Sequence, residues 1–309
     1  MINTYNIECA LAVARLKSFT KAARELNLSQ PTLSSQIQKL EDSLGTRLFD
    51  RSTVPLRLTY AGEVYLKKAG EIMLLSENLE REIRDIADNK AGRITLGITQ
   101  GRMPYVLPKV IQYFQEHHSG INICGVVSTR DEICEKIENF SVDFGIYAEY
   151  DELESRLGKD IISQDICREE LVLVSDPRFI HPENLISGLS STIDVRTIGS
   201  IPLIVPARGI LLRECLEKVL ERHHASLQIA LTMDDTISMY RLATEGFAAA
   251  IVPKGITEWV RPVRDVALYS ITPYTVNYRL KIIYHRNTYL GAPERELISV
   301  IRETLERLT

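Results

Sequence analysis

A segment near the start of the chain is rich in side chains that can hydrogen-bond to the edges of nucleic-acid bases. The residues predicted to contact bases or the backbone beside them are Ser29, Gln30, Pro31, Thr32, Ser34, Ser35 and Gln36. Amides and hydroxyls suit this task because they donate and accept in the major groove, where glutamine pairs well with adenine. Lys39, Arg51 and Arg57 follow and are predicted to hold phosphates. The pattern therefore predicts an interface with double-stranded DNA.

Two short helices joined by a tight turn are predicted to position this segment. Thr20 is the predicted cap of the first helix, and Asn27 tolerates the left-handed backbone that such a turn often needs. Ser29 is the predicted cap of the second helix, which ends at Gly45. Apolar residues at helical spacing form its inner face: Leu33, Ile37, Leu40 and Leu44. The alternative is an ordinary three-helix bundle whose polar face is merely solvated.

A long helix is predicted over residues 59–88, with Thr59 as its cap. One narrow apolar seam runs along it, formed by Tyr65, Ala69, Ile72, Leu75, Leu79, Ile83 and Ile86. A narrow seam on an otherwise charged helix favours pairing with a second helix in a coiled coil. Such pairing would hold two recognition helices at a fixed separation. The alternative is a single helix lying on its own domain.

The rest of the chain alternates predicted strands and helices, which predicts a parallel sheet with helices on both faces. Ligands of such sheets bind beyond the carboxyl ends of the strands. This rule selects Thr99, Gln100, Gly101, Arg102, Ser128, Thr129, Tyr147, Pro206, Ala207, Arg208, Asp234 and Thr236. Helix N-termini, hydroxyls and two arginines favour an anion. The predicted ligand is a small anionic metabolite.

Each of these residues also has a purely structural interpretation. Thr99 and Ser128 could be simple helix caps. Arg102 and Arg130 could be solvated surface arginines. Tyr147 could be a half-buried aromatic residue of the core.

Charge and cysteine content limit the classes of protein that fit. Residues 1–58 carry eight Lys and Arg against five Asp and Glu, whereas the whole 309-residue chain has a net charge of −4. The positive part coincides with the predicted DNA-binding segment, and the overall acidity argues against a histone-like protein. Five scattered cysteines and the absence of a visible signal peptide or membrane span predict a cytoplasmic location. A thiol-based redox sensor is the remote alternative.

The sequence indicates no enzyme, cofactor or metal site. It contains no glycine-rich phosphate loop, nucleophile elbow or zinc motif. His223 and His224 are adjacent and so diverge on a helix, and no cysteine or carboxylate joins them at ligand spacing. A binding protein is therefore expected rather than a catalyst.

The opening of the chain resembles the LysR-type transcriptional regulators. The motifs that carry the resemblance are Ser29-Gln30-Pro31, Ser34-Ser35-Gln36-Ile37, Leu40-Glu41-Asp42-Ser43-Leu44-Gly45, Leu48-Phe49-Asp50-Arg51 and Thr59-Tyr60-Ala61-Gly62. The later match is looser and includes Gly97-Ile98-Thr99 and Asp143-Phe144-Gly145-Ile146. Ser35 stands where the family often has a longer side chain.

The resemblance implies a three-part organisation. A winged helix-turn-helix, mostly α-helical, would occupy residues 1–58, and a linker (dimerisation) helix residues 59–90. Residues 91–309 would form an α/β effector domain like the type 2 periplasmic binding proteins, with one subdomain at 93–165 plus 265–309 and a second at 166–264.

The function implied is sequence-specific regulation of transcription by a homodimer or homotetramer. It would bind operator DNA and a small-molecule effector, with RNA polymerase as a further partner. A ligand-independent protein that bends or organises DNA is the alternative from another class.

Overall fold

A computed structural model describes residues 3–53, 55–86, 92–272 and 277–307. The chain forms two compact units. One comprises Met1–Asn89 with Asn287–Tyr289, and the other comprises Lys90–Arg286 with Leu290–Thr309. The domain boundary expected at residues 90/91 lies outside the described residues.

The N-terminal unit is a small helical domain with a two-stranded wing. Its elements are α1 (Thr4–Leu16), α2 (Phe19–Glu25), α3 (Gln30–Leu44), β1 (Phe49–Asp50), β2 (Arg57–Leu58) and α4 (Tyr60–Ile86). Its core includes Ala10 and Val13 from α1, Leu33 and Ile37 from α3, and Phe49 from the wing, all buried. The predicted winged helix-turn-helix is confirmed, although Leu44 is 43% exposed rather than part of the core.

Local capping explains the bounds of α2 and α3. Ser18, not Thr20, caps α2, because its extended backbone lets its Oγ accept from the Lys21 N–H at 3.3 Å, whereas Thr20 lies inside the helix. Asn27 takes the left-handed turn (φ 54°), as predicted. Ser29 caps α3 through the Thr32 N–H, and Gly45 (φ 68°) ends it.

The linker helix α4 changes its surroundings along its length. Thr59 caps it, with its Oγ1 accepting from the Gly62 N–H at 3.0 Å. Leu66 is buried in the core of the N-terminal unit and Tyr65 packs against it, so the first turns lie on their own domain. Further on, Leu75, Leu79 and Ile83 are 59%, 60% and 56% exposed. The first turns of α4 therefore fit the prediction of a helix that lies on its own domain. The exposed later turns fit the prediction of a helix that pairs with a second helix.

The second unit is an α/β domain built around one extended sheet. Its helices are α5 (Met103–His117), α6 (Arg130–Glu138), α7 (Leu211–Arg222), α8 (Thr236–Thr244), α9 (Lys254–Trp259) and α10 (Ala292–Glu306). Its strands are β3 (Gly92–Ile98), β4 (Ile121–Val127), β5 (Phe144–Glu149), β6 (Ile161–Ser175), β7 (Thr192–Asp194), β8 (Pro202–Val205), β9 (Gln228–Thr232), β10 (Ala249–Pro253), β11 (Ala267–Thr272) and β12 (Asn277–His285).

The sheet is mixed, so the expectation of a parallel sheet is corrected. The strand order is β4-β3-β5-β12-β6-β10-β8-β9. The β4-β3-β5 and β10-β8-β9 groups are parallel, as expected. However, β12 is antiparallel to both β5 and β6, and β6 is antiparallel to β10. In the strand order, β12 and β6 lie between the two parallel groups, and the strand direction reverses at each of their pairings.

One long strand, β6, belongs to both halves of this domain. Its first part, Ile161–Glu170, pairs with β12, whereas its last part, Leu171–Ser175, pairs with β10 and β11. The expected subdomain boundary at 165/166 lies inside the continuous strand.

Candidate DNA-reading face and effector cleft

The outer face of α3 presents the polar residues that were predicted to read DNA. Gln30, Pro31, Thr32, Ser35 and Lys39 are exposed. Ser34 and Gln36 are half-buried, and Ser29 is exposed at the cap. The opposite face is buried, so α3 has one free polar surface over most of its length. This is the arrangement that a recognition helix needs to enter a major groove.

Internal hydrogen bonds divide these candidates into two groups. The Ser29 Oγ caps α3 and lies 2.7 Å from the Thr32 Oγ1, and the Ser34 Oγ lies 3.4 Å from an Arg51 nitrogen. In the described part of the chain, no hydrogen bond is found for the side chains of Gln30, Ser35, Gln36 and Lys39. This second group keeps its full hydrogen-bonding capacity for a partner.

Arg51 joins the wing to the helices behind it. Its Nη2 lies 3.2 Å from Oε2 of Glu41, a carboxylate on α3 that is almost fully buried. The other oxygen of Glu41 accepts from the Leu48 and Phe49 N–H groups at 2.8 and 3.1 Å. The Arg51 guanidinium also lies 5.1 Å from the ring centre of Phe19 on α2. Arg51 therefore braces α2, α3 and the wing, and its phosphate contact stays a prediction.

Arg57 lies on the wing itself and is exposed. It stands opposite Asp50 in the β1–β2 register. Hydrogen bonds from Ser52 lower the pKa of Asp50, with a smaller contribution from the charge of Arg57. Arg57 can still extend toward a phosphate because its side chain has no hydrogen bond to another described residue.

A cavity of about 600 Å³ lies between the two halves of the α/β domain. This volume is typical of small-molecule sites. Predicted site residues that line it are Thr99, Gln100, Gly101, Arg102, Ser128, Thr129, Asp234 and Thr236. They come from the turns after β3 and β4 and from the segment before α8, so the carboxyl ends of strands from both halves meet there, as the strand-end rule predicts.

Arg102 is buried at this cavity, contrary to the interpretation as a solvated arginine. It is 8% exposed and forms an ion pair with Glu169 of β6, which is 1% exposed. Burial alone would lower the pKa of Arg102, but the Glu169 carboxylate more than offsets this and raises it. The Nε atom of Arg102 is buried and has no hydrogen-bond partner among the described residues.

Neither Thr99 nor Ser128 is a side-chain helix cap. The cap of α6 is Thr129, whose Oγ1 accepts from the Glu132 N–H while the Glu132 carboxylate accepts from the Thr129 N–H. Lys136 donates to the Ser128 Oγ. The hydroxyl hydrogen of Ser128 is then left to donate to another acceptor.

Four predicted residues lie elsewhere. Tyr147 is buried in the core with Ile133 and Ile137, as its structural interpretation predicted. Pro206 is buried and Ala207 half-buried. The Arg208 side chain is 86% exposed, with its Nε 3.6 Å from Glu217. From this loop, the residues that line the cavity begin one position later, at Gly209.

Sequence reasoning missed most of the apolar lining of the cavity. These residues are Tyr105, Val127, Ala148, Ile210, Leu211, Leu212, Pro253, Ile256 and Tyr278. Leu211 and Leu212 could have been found from the sequence, since they start the helix after a predicted ligand loop. Ile256 and Tyr278 could not, because long-range packing brings them to the cavity. Burial raises the pKa of both Tyr105 and Tyr278, so both phenols stay neutral.

Ion pairs cross between the halves at the edge of the cavity. Arg156 lies 2.7 Å from Asp131 of α6 and 2.9 Å from Glu214 of α7. Arg130 lies 3.4 Å from Asp131 and 3.7 Å from Glu214. Its guanidinium is also 5.7 Å from the ring centre of Tyr147. The four charges balance, so this edge of the cavity is electrostatically neutral.

Other site types find little support in the described residues. None of the five cysteines, all of which lie in the described ranges, forms a disulfide. Burial raises the pKa of the Cys215 thiol, which disfavours the reactive thiolate. No group of three His, Cys, Asp or Glu in the described ranges is arranged to hold a metal ion. None of the helices, as far as they are described, is long and apolar enough to span a bilayer.

A winged helix-turn-helix followed by an α/β ligand-binding domain defines a class, the ligand-responsive transcriptional regulators. Two family models match this chain. The model described as "Bacterial regulatory helix-turn-helix protein, lysR family" covers residues 5–63, and "LysR substrate binding domain" covers residues 87–306. The chain belongs to the LysR family of DNA-binding transcriptional regulators, a family of regulators and not of enzymes.

Individual relatives are distant. The "Probable RuBisCO transcriptional regulator" of Thalassiosira pseudonana is 25% identical over 281 residues, which covers 90% of each chain. A full-length OxyR variant from Pseudomonas aeruginosa has a TM-score of 0.71 at 18% identity, covering 99% of this chain and 95% of its own. CbnR in complex with its target DNA has a TM-score of 0.58 at 21% identity, covering 100% of both chains. These two structures support the fold.

We predict that Arg51→Ala destabilises the N-terminal unit. The change leaves the buried Glu41 carboxylate without its cation and should cost roughly 1–3 kcal/mol of local stability. Hydrogen exchange of the α3 amides in the full chain measures this loss. Lys39→Ala is the control, since Lys39 is exposed on the same helix. Equal protection in the two variants would contradict the bracing role.

We predict that Gly101→Ala prevents the close approach of the two halves. A Cβ at Gly101 would lie 2.6 Å from the Thr236 Oγ1, so the variant should lose about 1–3 kcal/mol and melt at lower temperature. Adding Thr236→Ala removes the clashing atom and should restore much of the loss. Adding Thr236→Val keeps a branched side chain and should not. Equal melting of the two double variants would refute the steric explanation.

Proposed function

We propose that this LysR-family regulator acts as a homodimer whose binding to operator DNA is controlled by a small effector in the cleft of the α/β domain. The observation that carries the proposal is the cavity itself. It is large enough for a metabolite, and turns and helix N-termini of both halves line it together. A ligand there would contact both halves at once, so it would favour one arrangement of them over others.

The exposed end of α4 supports the dimer. Leu75, Leu79 and Ile83 are large apolar side chains at spacings of four residues, and each is more than half exposed. Burying such a seam against the same seam of a second copy removes this apolar surface from water. A dimer formed in this way presents two copies of α3 to two half-sites.

The alternatives are less well supported. A ligand-independent DNA-organising protein would have its cleft blocked by side chains, whereas this cavity has about 600 Å³ of open volume. Thiol sensing needs a reactive cysteine, and the buried Cys215 has a raised pKa. A small anionic effector and cytoplasmic action complete the proposal, and they rest on the polar turns of the cleft and on the scattered cysteines. Contact with RNA polymerase and assembly of dimers into a tetramer rest on the sequence resemblance.

We predict that Leu75→Asp/Leu79→Asp abolishes the dimer. Charges on the seam would oppose burial, so sedimentation should show monomers. Affinity for an operator selected from random DNA should fall about 10²–10⁴-fold, because the second half-site is no longer bound in the same complex. The control is Glu77→Asp/Glu80→Asp, which puts the same side chain at exposed polar positions of the helix. Unchanged assembly in the seam variant would refute dimer formation through this seam.

We predict that alanine substitutions at two exposed residues of α3 affect DNA binding in different ways. Gln30→Ala should reduce discrimination between operator and altered sites by roughly 1–3 kcal/mol at one base position. Lys39→Ala should weaken binding to all sequences and lower the salt slope by about one.

Titrations at several salt concentrations measure both effects. Gln38→Ala is the matched control, because the Gln38 amide is bonded to Asp42 at 3.0 Å. If Gln30→Ala weakens binding to the operator and to the altered sites by the same factor, then Gln30 does not read a base.

A further inference from the structure

We infer that the cleft takes a small acid with a single carboxylate and an apolar body, rather than a multiply charged anion. The inference rests on the proposed effector function and adds the chemical class of the ligand. It follows from which charged groups at the cavity are already neutralised by the protein and which donors are left without a partner.

The cavity carries more carboxylates than cations. Its charged lining residues are Arg102, Arg130, Asp131, Glu132, Asp234 and Asp235. Both cations are already paired. Arg102 has the buried Glu169, and Arg130 has Asp131 and Glu214. A ligand with two or three negative charges would therefore find no uncompensated cation among the lining residues and would face several carboxylates.

Most of the carboxylates are also engaged with the protein. Asp131 is paired with Arg156, Glu132 accepts from the Thr129 N–H, and Asp235 caps α8 through the Ile237 and Ser238 N–H groups. Asp234 is exposed and has no hydrogen bond or ion pair with the described residues. The protein thus holds these charges in place, whereas the Asp234 carboxylate stays available to a ligand.

Three kinds of donor remain for one anionic group. The buried Nε–H of Arg102 lacks an acceptor among the described residues, and the arginine lines the cavity. The twelve-residue helix α7 begins at the cavity with Ile210 as its N-cap, and no side chain caps its first N–H groups. The Ser128 hydroxyl already accepts from Lys136 and is free to donate. Helix N-termini and buried N–H donors of this kind bind carboxylates.

The rest of the lining suits an apolar body. Tyr105, Tyr278, Leu211, Leu212 and Ile256 surround the cavity. Burial keeps both phenols neutral, so they contribute apolar ring surface without adding charge. A single carboxylate attached to a ring or branched chain satisfies the free donors and fills this space.

Calorimetry on the full chain tests the inference with a charge series. The probes are phenylacetate, L-phenylalanine, the neutral phenylacetamide, citrate and fructose 1,6-bisphosphate. We expect phenylacetate or L-phenylalanine to bind at least tenfold more tightly than the amide and the two polyanions. Binding of phenylacetate alone identifies a simple acid, whereas binding of L-phenylalanine alone identifies an amino acid whose ammonium group pairs with Asp234. Both results support the single-carboxylate class.

Two variants test whether the acid binds in the cavity. Ser128→Ala should weaken the bound acid about three- to tenfold, and Arg208→Gln, which removes an exposed charge outside the cavity, should leave it unchanged. Ser128 is used because Arg102 is part of a buried ion pair whose loss endangers folding. An acid whose affinity depends on Arg208 and not on Ser128 would overturn the assignment.

The two proposals fail in different ways. If citrate or the bisphosphate binds as tightly as the single acids, the charge inference is wrong and the effector function stands. If no probe of any charge binds, this inference falls together with the effector role of the cleft. Loss of the dimer or of operator binding is measured separately and bears only on the proposed function.

Discussion

The continuity of β6 is the constraint on which the α/β domain depends. A single strand of 15 residues pairs with β12 in its first part and with β10 and β11 in its last part. The two halves therefore share a continuous backbone segment and cannot come apart without breaking its hydrogen bonds to one of them. Glu169 lies on this strand just before the change of partners, and it holds Arg102 at the start of α5. The charge at the base of the cavity is thus attached to the element that both halves share.

The polar side chains of the two binding surfaces differ in whether the protein itself supplies their partners. On α3, the exposed Gln30, Ser35 and Lys39 make no hydrogen bond to other described residues, so their donors and acceptors face water until DNA replaces it. At the cleft, nearly every charge already has a partner within the protein. The DNA-reading face contacts many DNA sequences before it binds its operator, and side chains without internal hydrogen bonds can adjust to each of them. A closed cavity in a low dielectric cannot leave charges unpaired without a large loss of stability.

Local signals allowed the helical unit to be predicted, and long-range pairing explains the errors. The turn at Asn27 and the cap at Ser29 depend on residues within three or four positions, which the sequence shows directly. The sequence left open whether Arg102 binds the ligand or lies in solvent, because its partner Glu169 is 67 residues away. The direction of β6 relative to β10 and β12 is likewise set by tertiary packing. The strand-end rule found the polar turns of the cleft, since it concerns topology, but it carries no information on the apolar side chains that approach from α9 and β12.

Helix α7 is the element through which occupancy of the cleft can reach the rest of the domain. Its uncapped N-terminus faces the cavity, and one turn later Glu214 holds Arg156 and lies near Arg130 of the other half. A ligand bound at the first turn and the ion pairs at the cavity edge therefore act on the same short segment. Gly101 lies against Thr236 at another point of contact and limits how closely the halves approach. Attraction at α7 and steric contact at α8 together limit how the halves can be arranged, and a ligand selects among the remaining arrangements only by its difference in affinity for them.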